Sequence, residues 1–343
     1  MKLGWRRDLW RESWQALASV APLLATLGGC APVAPVAPDP AVAAVAPVTS
    51  AAPAVPRARV VPERVSFDSL DRNPATGAPV RLAGLLFPPA GSGEARHPAV
   101  VAFHGCGGMY SVVATRRAML SLRHQAMAEL LAAEGYAVLF PDSFRSRGVE
   151  EICTIPFRQS PVTSTHRLLD AQGALLYLQS RADVAPERIA ALGWSHGGIT
   201  VLAAENAKQP AVARWKERPG SAPYFRAAVA FYPGCIDALR ARGGYAVSAP
   251  LLLFIAGSDD WTAPQPCIDL ADRLIAAGEP VTITVYPDTY HGFDAPPAQG
   301  TLHLDVPNGV NPGAGVTVAP NPAAREDAYA KLKRFLRAEI GAR

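Results

Sequence analysis

Short, mostly apolar runs recur through the middle and C-terminal parts of the chain: 98–103 (PAVVAF), 136–140 (YAVLF), 189–192 (IAAL), 226–232 (RAAVAFY), 250–255 (PLLLFI) and 281–286 (VTITVY), with an earlier one at 81–87. Runs of this length bounded by Gly, Pro and Asp predict buried strands. Stretches that are apolar at helical spacing lie between them, at 115–134 with Gly135 as its stop and at 164–181, and another closes the chain at 323–340. Strands buried on both faces and alternating with amphipathic helices predict a mostly parallel, doubly wound α/β sheet. In such sheets the chemistry lies beyond the carboxyl ends of the strands.

The run at 189–192 passes directly into Gly193-Trp194-Ser195-His196-Gly197, with Gly198 opening a predicted helix. This is a G-x-S-x-G elbow in its strand-to-helix context: the serine sits in a sharp turn with its hydroxyl exposed, and the glycines avoid Cβ clashes. The helix that follows aims its first N–H groups at the place where negative charge develops. Ser195 is therefore the candidate nucleophile. The glycines after His104, the acidic pair Asp259-Asp260 and His291 also follow strands, so four segments converge on one sheet edge. Their chain order, Ser then Asp then His, is that of the α/β-hydrolase fold.

A serine hydroxyl needs a base, and an imidazole acts as one only when an acid fixes its tautomer. His291 follows the last strand and is the candidate base; His97, His124, His166 and His303 fall in linkers or helices, and His104 belongs to the glycine loop. The acid is either Asp259, the preferred choice, or Asp260. Backbone N–H groups of His196 and of Cys106, in HGCGG, are the candidate oxyanion donors. In the loop 143–147, Arg145 and Arg147 either bind a substrate carboxylate or form structural ion pairs with Glu150 or Glu151.

Composition adds an address rather than a chemistry. Net charge is +4, and +2 once positions 1–29 are set aside, which argues against nucleic acid as a partner. A basic start, an apolar stretch at about 16–27 and then Leu27-Gly28-Gly29-Cys30 resemble a lipoprotein signal with Cys30 as the lipidated residue. The apolar run is short for a membrane span. Ala31 in place of an aspartate resembles outer-membrane sorting, so the chain is expected to be exported and anchored in the cell envelope, facing the periplasm. Residues 30–62, almost all Ala, Pro and Val, are too uniform to build a core and read as an extended tether, leaving 63–343 as the folded domain.

The motifs FHGCGG (103–108), PDSFRSRG (141–148), GWSHGG (193–198), FYPGC (231–235), DDWTAPQPC (259–267) and HGFD (291–294) together resemble the dienelactone hydrolase family, over about 80–337. The resemblance implies an α/β-hydrolase fold, no cofactor and no metal, and hydrolysis of a carboxylic ester or lactone through an acyl-enzyme. It also implies Asp259 as the triad acid, whereas spacing from Gly257 suits Asp260. The chain departs from that family where the dienelactone hydrolases proper carry a cysteine nucleophile, here Ser195, and an acidic residue, here Gly105. Both departures point away from dienelactone as substrate.

After Cys30, four cysteines remain. Cys235 and Cys267 follow successive strands at the same edge and are the first expected disulfide, Cys106 with Cys153 the second; buried thiols are the alternative. Two other functions stay open: a peptidase of the prolyl-oligopeptidase type, and a catalytically silent envelope-binding protein on the same scaffold. The Gly-, Pro- and Asn-rich segment 296–322 is either a lid or a long loop.

Overall fold

The structure is a computed structural model that describes residues 60–91, 96–218 and 223–341. The expected signal segment, Cys30 and nearly all of the tether lie outside the described residues. Eight strands form one sheet: β1 (Glu63–Arg72), β2 (Pro79–Phe87), β3 (His97–Phe103), β4 (Ala137–Asp142), β5 (Val184–Trp194), β6 (Ala227–Phe231), β7 (Leu251–Ala256) and β8 (Val281–Tyr286). Their order across the sheet is β1-β2-β4-β3-β5-β6-β7-β8. The β1–β2 and β2–β4 pairs are antiparallel and every pair from β4 to β8 is parallel, as the unbroken apolar runs predict.

Those runs are apolar throughout because helices cover both faces of the sheet. On one side lie α2 (Ser164–Gln179), α3 (His196–Glu205) and α6 (Gln265–Ala276), which share a core with inward residues such as Val101, Ala191 and Leu253. On the other lie α1 (Leu122–Ala133) and α7 (Pro322–Glu339), packed on Val100, Leu192, Val229 and Phe254. Two short helices, α4 (Pro210–Lys216) and α5 (Ile236–Leu239), sit in connections, and β9 (Thr301–His303) pairs antiparallel with β10 (Val316–Val318).

Four regions add to or depart from the expectation. The predicted helix 115–134 is shorter, because residues 109–121 fold back on themselves: Ser111 N donates to Met119 O, Ser121 N donates to Met109 O, and the Ser121 hydroxyl caps α1 by accepting from His124 N. A strand, β1, forms where none was expected; Val65, Phe67 and Ser69 alternate inward on it. Helix α6 likewise arises without an expectation, although Cys267, Leu270, Ala271 and Leu274 keep helical spacing on its buried face. The 296–322 segment, expected to be a lid or a long loop, carries the β9–β10 ribbon.

Helix α2 lies almost on the backbone of β1. A Cβ at Gly173 would fall 2.4 Å from Asp68 O and 2.8 Å from Ser69 Cα. Gly173→Ala is therefore expected to lower stability by about 1–3 kcal/mol, the usual cost of overpacking. Urea denaturation measures this directly, and an unchanged midpoint would contradict so close a contact.

Candidate active site

The elbow stands at the end of β5. Ser195 has φ 55° and ψ −119°, a positive-φ conformation that costs a non-glycine residue on the order of 1–3 kcal/mol. Its neighbours enforce that turn: Ser195 N donates to Phe231 O at 2.9 Å and Ile199 N donates to Ser195 O at 2.9 Å. A Cβ at Gly193 would lie 2.2 Å from Gly197 O, and one at Gly197 would lie 1.9 Å from Phe103 O. The flanking glycines are thus required by backbone approach. Trp194 anchors the strand end below, stacked between Phe140 and Phe231.

Across the sheet edge, the loops after β7 and β8 bring Asp259 and His291 together, with His291 Nδ1 2.8 Å from Asp259 Oδ2. A carboxylate only accepts, so the imidazole carries its proton on Nδ1 and leaves Nε2 as the basic nitrogen. Asp259 is itself held: Oδ1 accepts from the amides of Trp261 (2.9 Å) and Thr262 (2.8 Å), and the Thr262 hydroxyl lies 2.9 Å from Oδ2. The imidazole is packed between Tyr232 and Trp261, with ring centroids 4.6 and 4.8 Å away. Ser195 lines one pocket with Trp261, Thr262, Cys106 and His196. Asp260 turns the other way, where its carboxylate accepts from Thr317 N (2.7 Å) and Thr317 Oγ1 (2.8 Å). Asp259 rather than Asp260 therefore meets the histidine.

The loop after β3 completes the pocket. A Cβ at Gly105 would be 3.6 Å from Ser195 Cβ, so His104-Gly105-Cys106 runs beside the serine. Cys106 is joined to Cys153 and Cys235 to Cys267, so the described domain holds both cysteine pairs as disulfides. The first ties the Cys106 loop to the segment carrying Ile152, whose N–H also donates to Cys106 O at 2.9 Å.

A residue that sequence reasoning passed over lies beneath this loop. Arg167 of α2 is fully buried; Nη1 donates to His196 Nδ1 (2.8 Å) and Nη2 to His104 O (2.8 Å). Burial draws the pKa of its guanidinium down to about 9. Burial first, and Arg167 second, lower the pKa of His196 to about 3. His196 is thus neutral with its proton on Nε2, since arginine can only donate to Nδ1. One cation joins the residue after Ser195 to the loop containing Cys106. The available signal was positional, for Arg167 and Asp170 fall on the buried face of α2 with Ala171 and Ala174.

Asp294, the last residue of HGFD, is a second buried hub. Its carboxylate accepts from Trp194 Nε1 (2.8 Å) and Tyr232 OH (2.5 Å), and Arg123 lies 3.5 Å away. The residue before Ser195, the ring beside His291 and the His291 loop are joined at one carboxylate.

The two loop arginines need correction as substrate ligands. Arg147 forms ion pairs with Asp71 (2.7 Å) and Asp170 (2.8 Å) and donates to Ser143 O, so it ties the end of β4 to β1 and α2. Those partners, not Glu150 or Glu151, satisfy it. Arg145 stacks 3.9 Å over the Tyr110 ring and lines a separate cleft with Asp142 and Glu150. Neither belongs to the pocket at Ser195. Among the described residues no group of three or more His, Cys, Asp or Glu is placed to hold a metal ion, and no helix is long and apolar enough to cross a membrane.

A family model described as the dienelactone hydrolase family matches residues 82–340. No curated protein matches the sequence. Among solved structures, Thermogutta terrifontis esterase 2 phosphoramylated by tabun is 17% identical with a TM-score of 0.52, covering 83% of this chain and 97% of that one. A dienelactone hydrolase-like promiscuous phosphotriesterase from metagenomic libraries is 17% identical with a TM-score of 0.52, covering 81% and 99%. A Klebsiella pneumoniae protein assigned as a dienelactone hydrolase is 16% identical with a TM-score of 0.53, covering 82% and 100%. At these identities the structures share the fold.

Buried histidines give the domain an acid limit. Burial, with Arg123 as the next cause, lowers the pKa of His124 to about 3, and that of His104 is also held well below the ordinary 6.5. Groups kept neutral by the fold contribute stability that is present above about pH 6.5 and is lost as pH falls toward their folded values, because the unfolded chain binds the protons first. The melting temperature is expected to drop from about pH 6.5 to about pH 4, and to drop less in His124→Gln relative to its own value at neutral pH. Parallel pH curves for the two proteins would contradict this.

Proposed function

The chain belongs to the dienelactone hydrolase family and is a hydrolase acting on ester bonds; from that premise we propose that it cleaves a carboxylic ester or lactone through an acyl-enzyme on Ser195. The observation that carries this reading is the 2.8 Å contact of His291 Nδ1 with Asp259 beside the pocket that Ser195 lines. His291 Nε2 takes the Ser195 proton as Oγ attacks the ester carbonyl, and Asp259 holds the tautomer and stabilises the imidazolium. The amides of His196 and Cys106 donate to the developing oxyanion, each worth about 10²–10³ in rate. The intermediate collapses as His291 returns the proton to the leaving alkoxide. Water, deprotonated by His291, then attacks the acyl carbon; the bond from that carbon to Ser195 Oγ breaks as His291 returns the proton to Oγ, and the acid is released.

We place this activity in the cell envelope, with Cys30 lipidated and residues 31–62 as the spacer. The support is Leu27-Gly28-Gly29-Cys30, the Ala/Pro/Val composition that follows, and two disulfides that suit an oxidising compartment. Cys30→Ser is expected to move the protein from the membrane to the soluble fraction of bacterial cells expressing the full chain; a variant that stays with the membrane would contradict the lipid anchor.

Variants tested on p-nitrophenyl acetate address the chemistry. Ser195→Ala and His291→Ala are expected to lower kcat by about 10⁴–10⁶, and Asp259→Asn by about 10⁴. Asp260→Asn, which touches Thr317 instead, is expected to cost less than about tenfold, since it removes no group that orients the base. Equal losses in the two aspartate variants, or turnover retained by Ser195→Ala, would refute the assignment.

A further inference from the structure

One wall of the pocket beside Ser195 is a tie between two segments far apart in the chain. Asn308, in the excursion between β9 and β10, accepts from Phe157 N at 3.0 Å through Oδ1 and donates to Ile155 O at 2.8 Å through Nδ2. The excursion and the strand that follows it are held further: Val310 N donates to Asp260 O at 2.8 Å, the Asp260 carboxylate holds Thr317 of β10, and Ala319 N, just past β10, donates to His291 O at 3.1 Å. Ile155, Phe157 and Asn308 all line the pocket together with Ser195.

Two properties of that pocket bear on what enters it. Its free volume is about 40 Å³, against about 150 Å³ for an apolar cavity that takes up benzene, which leaves room for a side chain of very few carbons. The lining, chiefly Ile152, Ile155, Phe157, Ile199 and Trp261, contains no Asp, Glu, Lys or Arg. A second charge on the substrate would lose its water there without a partner, which is strongly unfavourable. Arg147 is held in ion pairs with Asp71 and Asp170, and Arg145 lines a separate cleft.

Resting on the serine-hydrolase reading above, we propose that this pocket takes the acyl part of the substrate, that the acyl group is short and uncharged, and that Asn308 sets its length. The acyl group stays bonded to Ser195 through both half-reactions, whereas the alcohol must leave for solvent between them, so a pocket walled by the 155–157 segment and Asn308 suits the acyl group. Hydrogen bonds from one side chain to two backbone groups fix the distance between the 155–157 segment and the β9–β10 excursion. Without them the pocket wall is free to retreat, and longer chains gain entry.

The test uses the full chain, the p-nitrophenyl esters of acetate, butyrate, hexanoate and octanoate, and the p-nitrophenyl monoester of succinate. The wild-type kcat/KM is expected to fall at least tenfold from butyrate to octanoate, and to be at least tenfold lower for the succinyl ester than for butyrate. Asn308→Ala and Phe157→Ala are each expected to narrow the butyrate-to-octanoate ratio at least fivefold without raising the succinyl ester relative to butyrate. Phe157 is exposed enough that its truncation tests the wall even if Asn308→Ala folds poorly. Equal rates along the series, a ratio unmoved in the folded variants, a preferred succinyl ester, or length dependence confined to the alcohol of alkyl acetates would overturn the proposal. Labelling by a fluorophosphonate separates the two failures: a protein that labels but hydrolyses none of these esters refutes the acyl assignment alone, and one that does not label refutes the serine reading as well.

Discussion

A Cβ on Gly197 would sit 1.9 Å from Phe103 O, and one on Gly193 would sit 2.2 Å from Gly197 O. Three stretches of backbone, the end of β3, the end of β5 and the first turn of α3, therefore pass one another with no room for side chains. Everything at the site depends on that approach. It forces Ser195 into positive φ, aims the start of α3 at the serine, and brings the Cys106 loop alongside. Strain at one residue is tolerated because the Phe231 and Ile199 hydrogen bonds and the stacked Trp194 over-determine the turn.

Buried charge does the remaining positioning. Arg167 joins His196 to His104 from below, Asp294 joins Trp194 to Tyr232 and the His291 loop, and Arg147 with Asp170 and Asp71 fastens the end of β4 to α2 and β1. Charges removed from water persist only where hydrogen bonds satisfy them, so each hub holds one geometry of the loops around it. Burial first, and Arg167 second, make the histidine next to Ser195 a weak base. The two disulfides extend the same logic into the outer loops, Cys106–Cys153 at the pocket wall and Cys235–Cys267 between the end of β6 and α6.

Much of this was legible in the chain because parallel strands read as plain apolar runs and their carboxyl ends place chemistry at one edge. The G-x-S-x-G motif together with strand order was enough to place Ser195, His291 and the Cys106 loop at one sheet edge. The choice between Asp259 and Asp260 could not, because it is made by Thr317, 57 residues away, which takes the second carboxylate. The same limit applies to Arg147, whose partner Asp71 lies on β1, a strand whose alternation of Val65, Phe67 and Ser69 among charges went unrecognised. Arg167 was hidden by its setting in a helix with ordinary amphipathic spacing; only its place on the buried stripe marks it. The fold-back at 109–121 rests on backbone hydrogen bonds that leave no pattern in side-chain periodicity.

The proposed activation of Ser195 by His291 is the step on which this reading turns. Its most direct measurement is peptide mass spectrometry of the folded full chain after reaction with a fluorophosphonate. A single phosphonyl adduct is expected on the peptide containing Ser195, lost in His291→Ala. No adduct on the folded wild-type protein, or one on another residue, would contradict it.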